Sequence, residues 1–299
     1  MAIPSYVYAL GGAYIWAFEK ALPTSFILII IFLLLLNLIK KPRPQIPAQL
    51  VLAVFSFFLF LLIAFNIYLQ YQLRYIEPKI YFIEVAESGN IELLTRLLNQ
   101  GMDPNVTTKD GRNAICKAAS RDKLEVVKLL LNRGANIEIR DKEGNTPLLC
   151  SGGNLEIVKF LINNKANIEA KDNDGRTALM NAVIQIDPDL VKFLLAAGAN
   201  VNAKNNNGET ALMEGALRGR NESIPLLLSY GADINAQDAK GRTALYDSVM
   251  CCFPETAKIL SEKGADINIK DKNGWSAKNL AARSSKQEMR DIFKNDKHK

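Results

Sequence analysis

The sequence predicts an all-α protein in which an N-terminal transmembrane helical hairpin is followed by an α-solenoid with β-turn fingers. Two apolar runs, residues 22–39 and 48–69, predict the hairpin. A phrase centred on a glycine recurs from residue 111 onward at intervals of 33, 31, 33, 33 and 33 residues, a period typical of stacked helical repeats. The charged side chains are divided in the same way. Residues 1–70 contain only one acidic and four basic side chains, and all other charged side chains lie in residues 71–299.

The first segment, residues 1–20, is rich in aromatic side chains and carries its only charged side chains at Glu19 and Lys20. Tyrosine and tryptophan settle at the membrane–water interface, so we predict an interfacial segment. We expect no secretory signal peptide, which needs a basic start and an apolar run of about 7–15 residues close behind it. The aromatic side chains that predict the interface are Tyr6, Tyr8, Tyr14, Trp16 and Phe18.

Residues 21–70 are predicted to form two transmembrane helices. The run 22–39 has 18 residues, the lower limit for crossing about 30 Å of hydrocarbon, and the run 48–69 has 22. A buried helix of a globular core rarely continues this far without a polar face, which disfavours that alternative. Three prolines keep the basic turn 40–47 from becoming helical, so both ends of the hairpin are expected on one side of the membrane.

The charges around the hairpin leave two orientations open. The turn carries three cations, and three more lie within reach of the spans on the opposite side of the membrane. The positive-inside rule compares the cations on the two sides, so it favours neither orientation. The first span favours the turn inside and the repeats outside, in the periplasm if the protein is bacterial, because its trailing flank is the more basic one. Four cysteines without evident disulfide partners instead suit a cytoplasmic location. The cations are Lys40, Lys41 and Arg43 in the turn and Lys20, Arg74 and Lys79 opposite.

A short linker, residues 71–80, leads into about six repeats with capping units, which we expect to occupy residues 81–299. The sequence of each repeat predicts a first helix, a turn and a second helix. One such unit must stack on its neighbours to bury its apolar face. Threonines at the expected N-caps are Thr146, Thr177, Thr210 and Thr243, with Pro147 at a first helical position. Glycines at the expected C-caps are Gly134, Gly198, Gly231 and Gly264, and Lys165 stands at this position in another copy, where we predict strain.

Blocks such as NDGRTALMNAV and AKGRTALYDSV, with YGADINAQD between them, resemble the ankyrin repeat over roughly residues 77–295. With the apolar hairpin, the chain resembles a bacterial membrane-anchored member of that family. The family's histidine after the Thr-Pro-Leu phrase is replaced in every copy, and we interpret the substitutes as an apolar ladder in the core. The residues that replace this histidine are Cys116, Leu149, Met180, Met213, Tyr246 and Asn279.

The third block is two residues short, which predicts a tight turn at Gly152 and Gly153.

The resemblance implies a protein partner bound by the finger tips and the exposed ends of the first helices. Arginine and tryptophan carry much of the energy of known interfaces, and arginine forms forked bonds with carboxylates, so an acidic partner is expected. A solvated polar surface is the alternative for each arginine, and a cap on the last repeat is the alternative for Trp275. The predicted partner-binding residues are Arg112, Arg176, Glu209, Arg218, Arg242 and Trp275.

Residue content disfavours several other functions. The one histidine, His298, lies in a predicted tail, the cysteines lack metal-ligand spacing, and no phosphate-binding glycine loop occurs. We therefore predict no enzyme, no cofactor, no metal and no small-molecule substrate. Near-balanced charge in residues 71–299 argues against nucleic acid, and apolar spans without ionisable groups argue against a channel. The expected function is a membrane-anchored interaction scaffold; the alternative is an immunity protein that neutralises a toxin, or a regulator of an enzyme, at the membrane.

Overall fold

The structure, a computed structural model, describes residues 77–292 and the four helical positions 56, 57, 60 and 63. Contacts divide the chain into two compact units, Met1–Phe82 and Ile83–Lys299. Apart from those four positions, the predicted interfacial segment 1–20, the hairpin 21–70 and its turn 40–47 lie outside the described residues. Among the residues that are described, no helix is long and apolar enough to cross a membrane.

Short helices follow one another throughout residues 77–292, and the first begins inside the segment predicted as a linker. The helices are α1 (Glu77–Ser88), α2 (Ile91–Asn99), α3 (Ala114–Ser120), α4 (Leu124–Asn132), α5 (Pro147–Cys150), α6 (Leu155–Asn163), α7 (Ala178–Gln185), α8 (Pro188–Ala196), α9 (Ala211–Leu217), α10 (Ser223–Ser229), α11 (Ala244–Met250), α12 (Pro254–Glu262), α13 (Ala277–Ala282) and α14 (Gln287–Ile292). This part of the chain contains no strand, only the isolated bridges Thr107–Asn113 and Lys270–Ser276.

From α3 onward the helices form pairs that stack in two layers. In each pair the first helix contacts the second, and the first helices α3, α5, α7, α9, α11 and α13 contact one another in succession. The second helices contact their neighbours from α2 to α6 and again from α8 to α14. Apolar side chains such as Ile115, Leu130 and Leu212 are fully buried between the layers. The predicted helical solenoid is thereby confirmed for the repeats.

Most first helices begin at the predicted polar caps. The hydroxyls of Thr177, Thr210 and Thr243 accept hydrogen bonds from the backbone amides three residues later, which satisfies a donor that the helix leaves open. Asn113 and Ser276 do the same in the first and last copies. Thr146 also stands at the N-cap of α5, as predicted, but its hydroxyl makes no such bond.

The third block is distorted where its sequence is short. Helix α5 has four residues, and Gly152 and Gly153 follow it with positive φ angles of +57° and +94°. The predicted tight turn is confirmed. Lys165, in place of a capping glycine, also has a positive φ of +70°. A side chain in this region strains the backbone by about 1–2 kcal/mol, so the predicted strain is present.

The fingers between the helix pairs are joined by backbone hydrogen bonds. The amide of Asn173 donates to the Glu143 carbonyl at 2.9 Å, and the amide of Asn206 donates to the Asp174 carbonyl at 3.0 Å. The amide of Lys272 donates in the same way to the Lys240 carbonyl at 2.9 Å. Fingers of neighbouring repeats therefore lie side by side, and the residue after each finger glycine is held at a fixed place.

We expect alanine at Gly175 to destabilise the stack more than alanine at Gly198. Both glycines have positive φ, +79° and +93°, so alanine strains either backbone by about 1–2 kcal/mol. At Gly175 the added methyl would also lie 2.5 Å from Asn206 Oδ1 and 2.7 Å from the Asn206 amide, whereas nothing lies within 4 Å at Gly198. Thermal unfolding followed by circular dichroism measures the difference. Equal losses would mean that close finger packing contributes nothing.

Candidate partner-binding surface

Two positions in each repeat carry the side chains that line the fingers and the first-helix layer. We call the residue after the finger glycine the finger position and the residue five later, in the first helix, the helix position. Because each finger runs through an N-cap directly into its helix, the two positions keep a constant relation. The finger positions are Arg112, Asn145, Arg176, Glu209, Arg242 and Trp275, and the helix positions are Lys117, Cys150, Asn181, Glu214, Asp247 and Leu280.

Arg242 lies at the centre of a group of carboxylates. Its guanidinium is 2.6 Å from Asp238 Oδ2, 3.4 Å from Glu209 Oε1 and 3.6 Å from Asp247 Oδ1. Burial alone would lower the pKa of Arg242, but the hydrogen bond to Asp238 and the charges of all three carboxylates raise it. The side chains of Arg242 and Glu209 are each only 16% exposed, so these two predicted partner-binding residues are largely occupied with each other and with their neighbours.

Glu214 forms a second charged centre on the adjacent first helix. Its side chain is 3% exposed and accepts a hydrogen bond from Arg218 one turn later in the same chain segment. Arg176 approaches from the preceding finger, with its Nε 3.8 Å from Glu214 Oε1, and it also pairs with Asp174 at 3.2 Å. The structure therefore brings the predicted residues Arg176 and Arg218 together across a carboxylate that the sequence analysis did not identify.

Asp247 is a buried carboxyl whose pKa is shifted strongly by its surroundings. Burial raises the pKa of this carboxyl from 3.8 to about 7. Arg242 opposes the shift, whereas the negative charges of Asp238, Glu209 and Glu214 add to it. Asp247 Oδ1 is buried and makes no hydrogen bond. Around neutral pH this carboxyl is therefore divided between its charged and its neutral form.

Arg112 and Trp275 lie on the first and last of these fingers, away from the central charges. Arg112 pairs with Asp110 at 2.8 Å, and both side chains are about half exposed. Trp275 is 37% exposed, and the guanidinium carbon of Arg283 lies 5.1 Å from the centre of its ring. A cation at this distance is attracted to the ring face. The structure thus leaves these two residues more accessible than Arg242 and Glu209.

The apolar ladder predicted at the family's histidine position is confirmed for most copies. Cys116, Met180 and Met213 are buried between first helices. Tyr246 is buried as well, but its hydroxyl donates to Asp271 Oδ2 at 3.0 Å, and burial together with this bond raises the pKa of Tyr246. The prediction is wrong for Asn279, which is exposed and completes a capping box with the N-cap of α13.

The described residues include thiols and carboxylates that could act as metal ligands or nucleophiles. No group of three or more His, Cys, Asp or Glu side chains in this part of the chain is arranged to hold a metal ion. Hydrogen bonding with Cys116, together with burial, raises the pKa of Cys150, so its thiol remains protonated and a poor nucleophile. The arrangement can form ion pairs, hydrogen bonds and apolar contacts with a partner.

Sequence patterns did not predict four charged residues of this surface, namely Asp238, Glu214, Asp247 and Arg283. The first three are charged residues that are buried or nearly so, and burial of charge is not visible in composition. The sequence nonetheless contains a signal. In three successive repeats the helix position follows the finger position at the same spacing of five, in the pairs Glu209–Glu214, Arg242–Asp247 and Trp275–Leu280. Comparison of the two positions across repeats would have shown where charge is replaced by an apolar side chain.

A profile of the family described as "Ankyrin repeats (3 copies)" matches residues 82–172, 149–238 and 185–271. Cortactin-binding protein 2 of Rattus norvegicus is 41% identical over 66 residues, which is 22% of this chain and 4% of that protein. The potassium channel AKT2/3 of Arabidopsis thaliana is 41% identical over 66 residues, 22% of this chain and 8% of the channel. An ankyrin repeat-containing protein of Schizosaccharomyces pombe is 36% identical over 63 residues, 21% of this chain and 30% of that protein.

The likeness to these relatives is confined to short segments, none of them more than 30% of the relative's length. The profile matches extend much further, since together they cover residues 82–271, more than half of the chain. They coincide with the paired helices and fingers described above. The chain belongs to the ankyrin repeat family.

Proposed function

We propose that this chain is a protein–protein interaction scaffold that holds its partner on the fingers and first helices, close to a membrane. One observation carries the proposal. The side chains at the finger and helix positions change from repeat to repeat, from Arg112 to Trp275 and from Lys117 to Leu280, while the backbone that presents them recurs. A constant frame with variable side chains provides specificity without chemistry of its own.

The predicted partner-binding residues take two roles in this proposal. Arg112, Arg176, Arg218 and Trp275 are at least 30% exposed, and they contact the partner directly. Glu209 and Arg242, which are mostly buried, position the surface instead. Surface ion pairs contribute little to stability, so Arg112 and Arg176 can exchange their exposed partners Asp110 and Asp174 for carboxylates of another protein at small cost.

Photo-crosslinking tests which layer meets the partner. We expect benzoylphenylalanine at Arg112 or Arg218 to capture one defined protein from cells that make the full chain. At Lys128 or Lys159, in the second helices α4 and α6, the same probe should capture little of it. These control lysines are comparably exposed and form ion pairs with neighbouring glutamates. Equal capture from both layers would contradict the proposed surface.

We further propose that residues 21–70 anchor the repeats to a bilayer. Support comes from the apolar runs 22–39 and 48–69, each long enough to cross about 30 Å of hydrocarbon. The full chain should then stay with membranes after an alkaline carbonate wash, and arginines placed in both runs, Ile30→Arg and Leu35→Arg in the first with Leu59→Arg and Leu62→Arg in the second, should release it. A reporter that is active only outside the cytoplasm, fused after Lys299, distinguishes the outward orientation, which the basic trailing flank of the first span favours, from a cytoplasmic one.

A further inference from the structure

The charged pattern of the surface stops at the last repeat. Arg242 and Asp247 occupy the finger and helix positions of one copy, and Trp275 and Leu280 replace them in the next. A groove of about 560 Å³ opens between α11 and α13 at this place. We call it the terminal groove and define it by Tyr246, Met250, Trp275, Leu280 and Arg283, which are among its lining residues.

The terminal groove presents apolar side chains to solvent. Met250 is 42% exposed and Trp275 is 37% exposed, although side chains of this size are usually covered. Leu280 is half-buried beside them. Methionine adapts to differently shaped ligands, and tryptophan is among the residues most often found at the centre of an interface. The groove is suited to receive one apolar side chain of a partner.

Arg283 gives the terminal groove a cation that is not neutralised. It is exposed and stacks on Trp275, and no carboxylate in the described part of the chain forms an ion pair with it. Its surroundings are basic as well, because residues 270–290 contain six lysines and arginines and only two acidic side chains. A carboxylate next to the apolar anchor would therefore be attracted both by the guanidinium and by the local charge.

The groove's own carboxylate does not satisfy Arg283. Asp271 accepts hydrogen bonds from the Tyr246 hydroxyl at 3.0 Å and from the amides of Asn273 and Trp275 at 2.9 and 2.8 Å. Burial alone would raise the pKa of Asp271, but these bonds lower it. Its charge is therefore balanced by donors that belong to the finger and to α11, and none of these hydrogen bonds involves Arg283.

We propose that the terminal groove binds an acidic segment of a protein partner. One apolar side chain enters between Met250, Leu280 and Trp275, and a neighbouring carboxylate pairs with Arg283. The inference rests on the proposed interaction function and names the chemistry of its partner. Residues 293–299 of this chain are a poor occupant, because they carry three lysines and one aspartate and so repeat the positive charge of the groove.

Fluorescence anisotropy with labelled model peptides tests the proposal on the full chain in uncharged detergent. The probe is an octapeptide with a central pair of leucines flanked by glutamates. One control peptide has lysines in place of the glutamates, and a second has serines in place of the leucines. We expect Arg283→Gln to weaken binding of the probe about tenfold and Trp275→Ala to weaken it at least as much. Arg133→Gln, which removes an exposed arginine at the end of α4, should leave it unchanged.

Three results would overturn the proposal: no binding of the glutamate–leucine probe, equal binding of either control peptide, or equal affinity in the Arg283→Gln and Arg133→Gln variants. Sedimentation velocity adds a fourth, since self-association that Trp275→Ala abolishes would identify a second copy as the occupant. Loss of this inference leaves the proposed function standing as long as the probes at Arg112 and Arg218 still capture a partner. Failure of that crosslinking would instead remove the proposed function itself.

Discussion

Replacement of Arg242 by leucine is expected to lower the free energy of unfolding of the repeats by about 3 kcal/mol. The change removes the cation shared by Asp238, Glu209 and Asp247 and leaves three carboxylates close together in a place where water has little access. Breaking one side of a buried ion pair is more damaging than losing its attraction, because the remaining charge stays desolvated. Denaturant unfolding of the full chain in uncharged detergent, followed by far-ultraviolet circular dichroism, measures the loss.

Arg112→Leu provides the matched control for this prediction. It occupies the same finger position, but its pair with Asp110 is about half exposed, so we expect a loss below about 1 kcal/mol. The comparison separates burial of the charges from the presence of an arginine in a finger. Similar losses in the two variants would show that the group around Arg242 is no more tightly coupled than an ordinary surface pair.

Local signals in the sequence predicted the repeats well. The finger glycines, the cap residues Thr177, Thr210 and Thr243, and the two-residue deletion before Leu155 each act on the backbone within a few residues. Such effects can be recognised without knowledge of tertiary contacts. The period then defines how the units stack, because each helix pair needs a neighbour to cover its apolar side.

The candidate site was less predictable because its contacts join different repeats. Arg176 reaches Glu214 on the following first helix, and Arg242 reaches back to Glu209 on the preceding finger. Side-chain lengths and directions decide these pairings, and a single sequence does not state them. The same limitation applies to Arg283, whose importance depends on its stacking with the ring of Trp275.

Asp247→Asn is expected to make the repeats more stable at pH 8 and to have little effect near pH 4. The folded state keeps the Asp247 proton up to about pH 7, whereas an unfolded chain releases it near the ordinary value of 3.8. Between these two values the folded state binds more protons, so the contribution of this group to stability falls as the pH rises. At about 1.4 kcal/mol per pKa unit, ionising Asp247 costs the folded state about 4 kcal/mol across the interval from 3.8 to about 7, and asparagine avoids that cost.

Unfolding free energies of the parent and of Asp247→Asn, measured from pH 4 to pH 8, give the difference directly and cancel the contributions of other groups. Asp110→Asn is the control. A hydrogen bond from Thr108 lowers the pKa of that exposed carboxyl, so any contribution of Asp110 to stability rises with pH instead of falling. An asparagine variant less stable than the parent at pH 8 would mean that the Arg242–Asp247 attraction outweighs desolvation. In that case Asp247 would stabilise the repeats as an ion-pair partner, and the buried charges of this surface would not oppose folding.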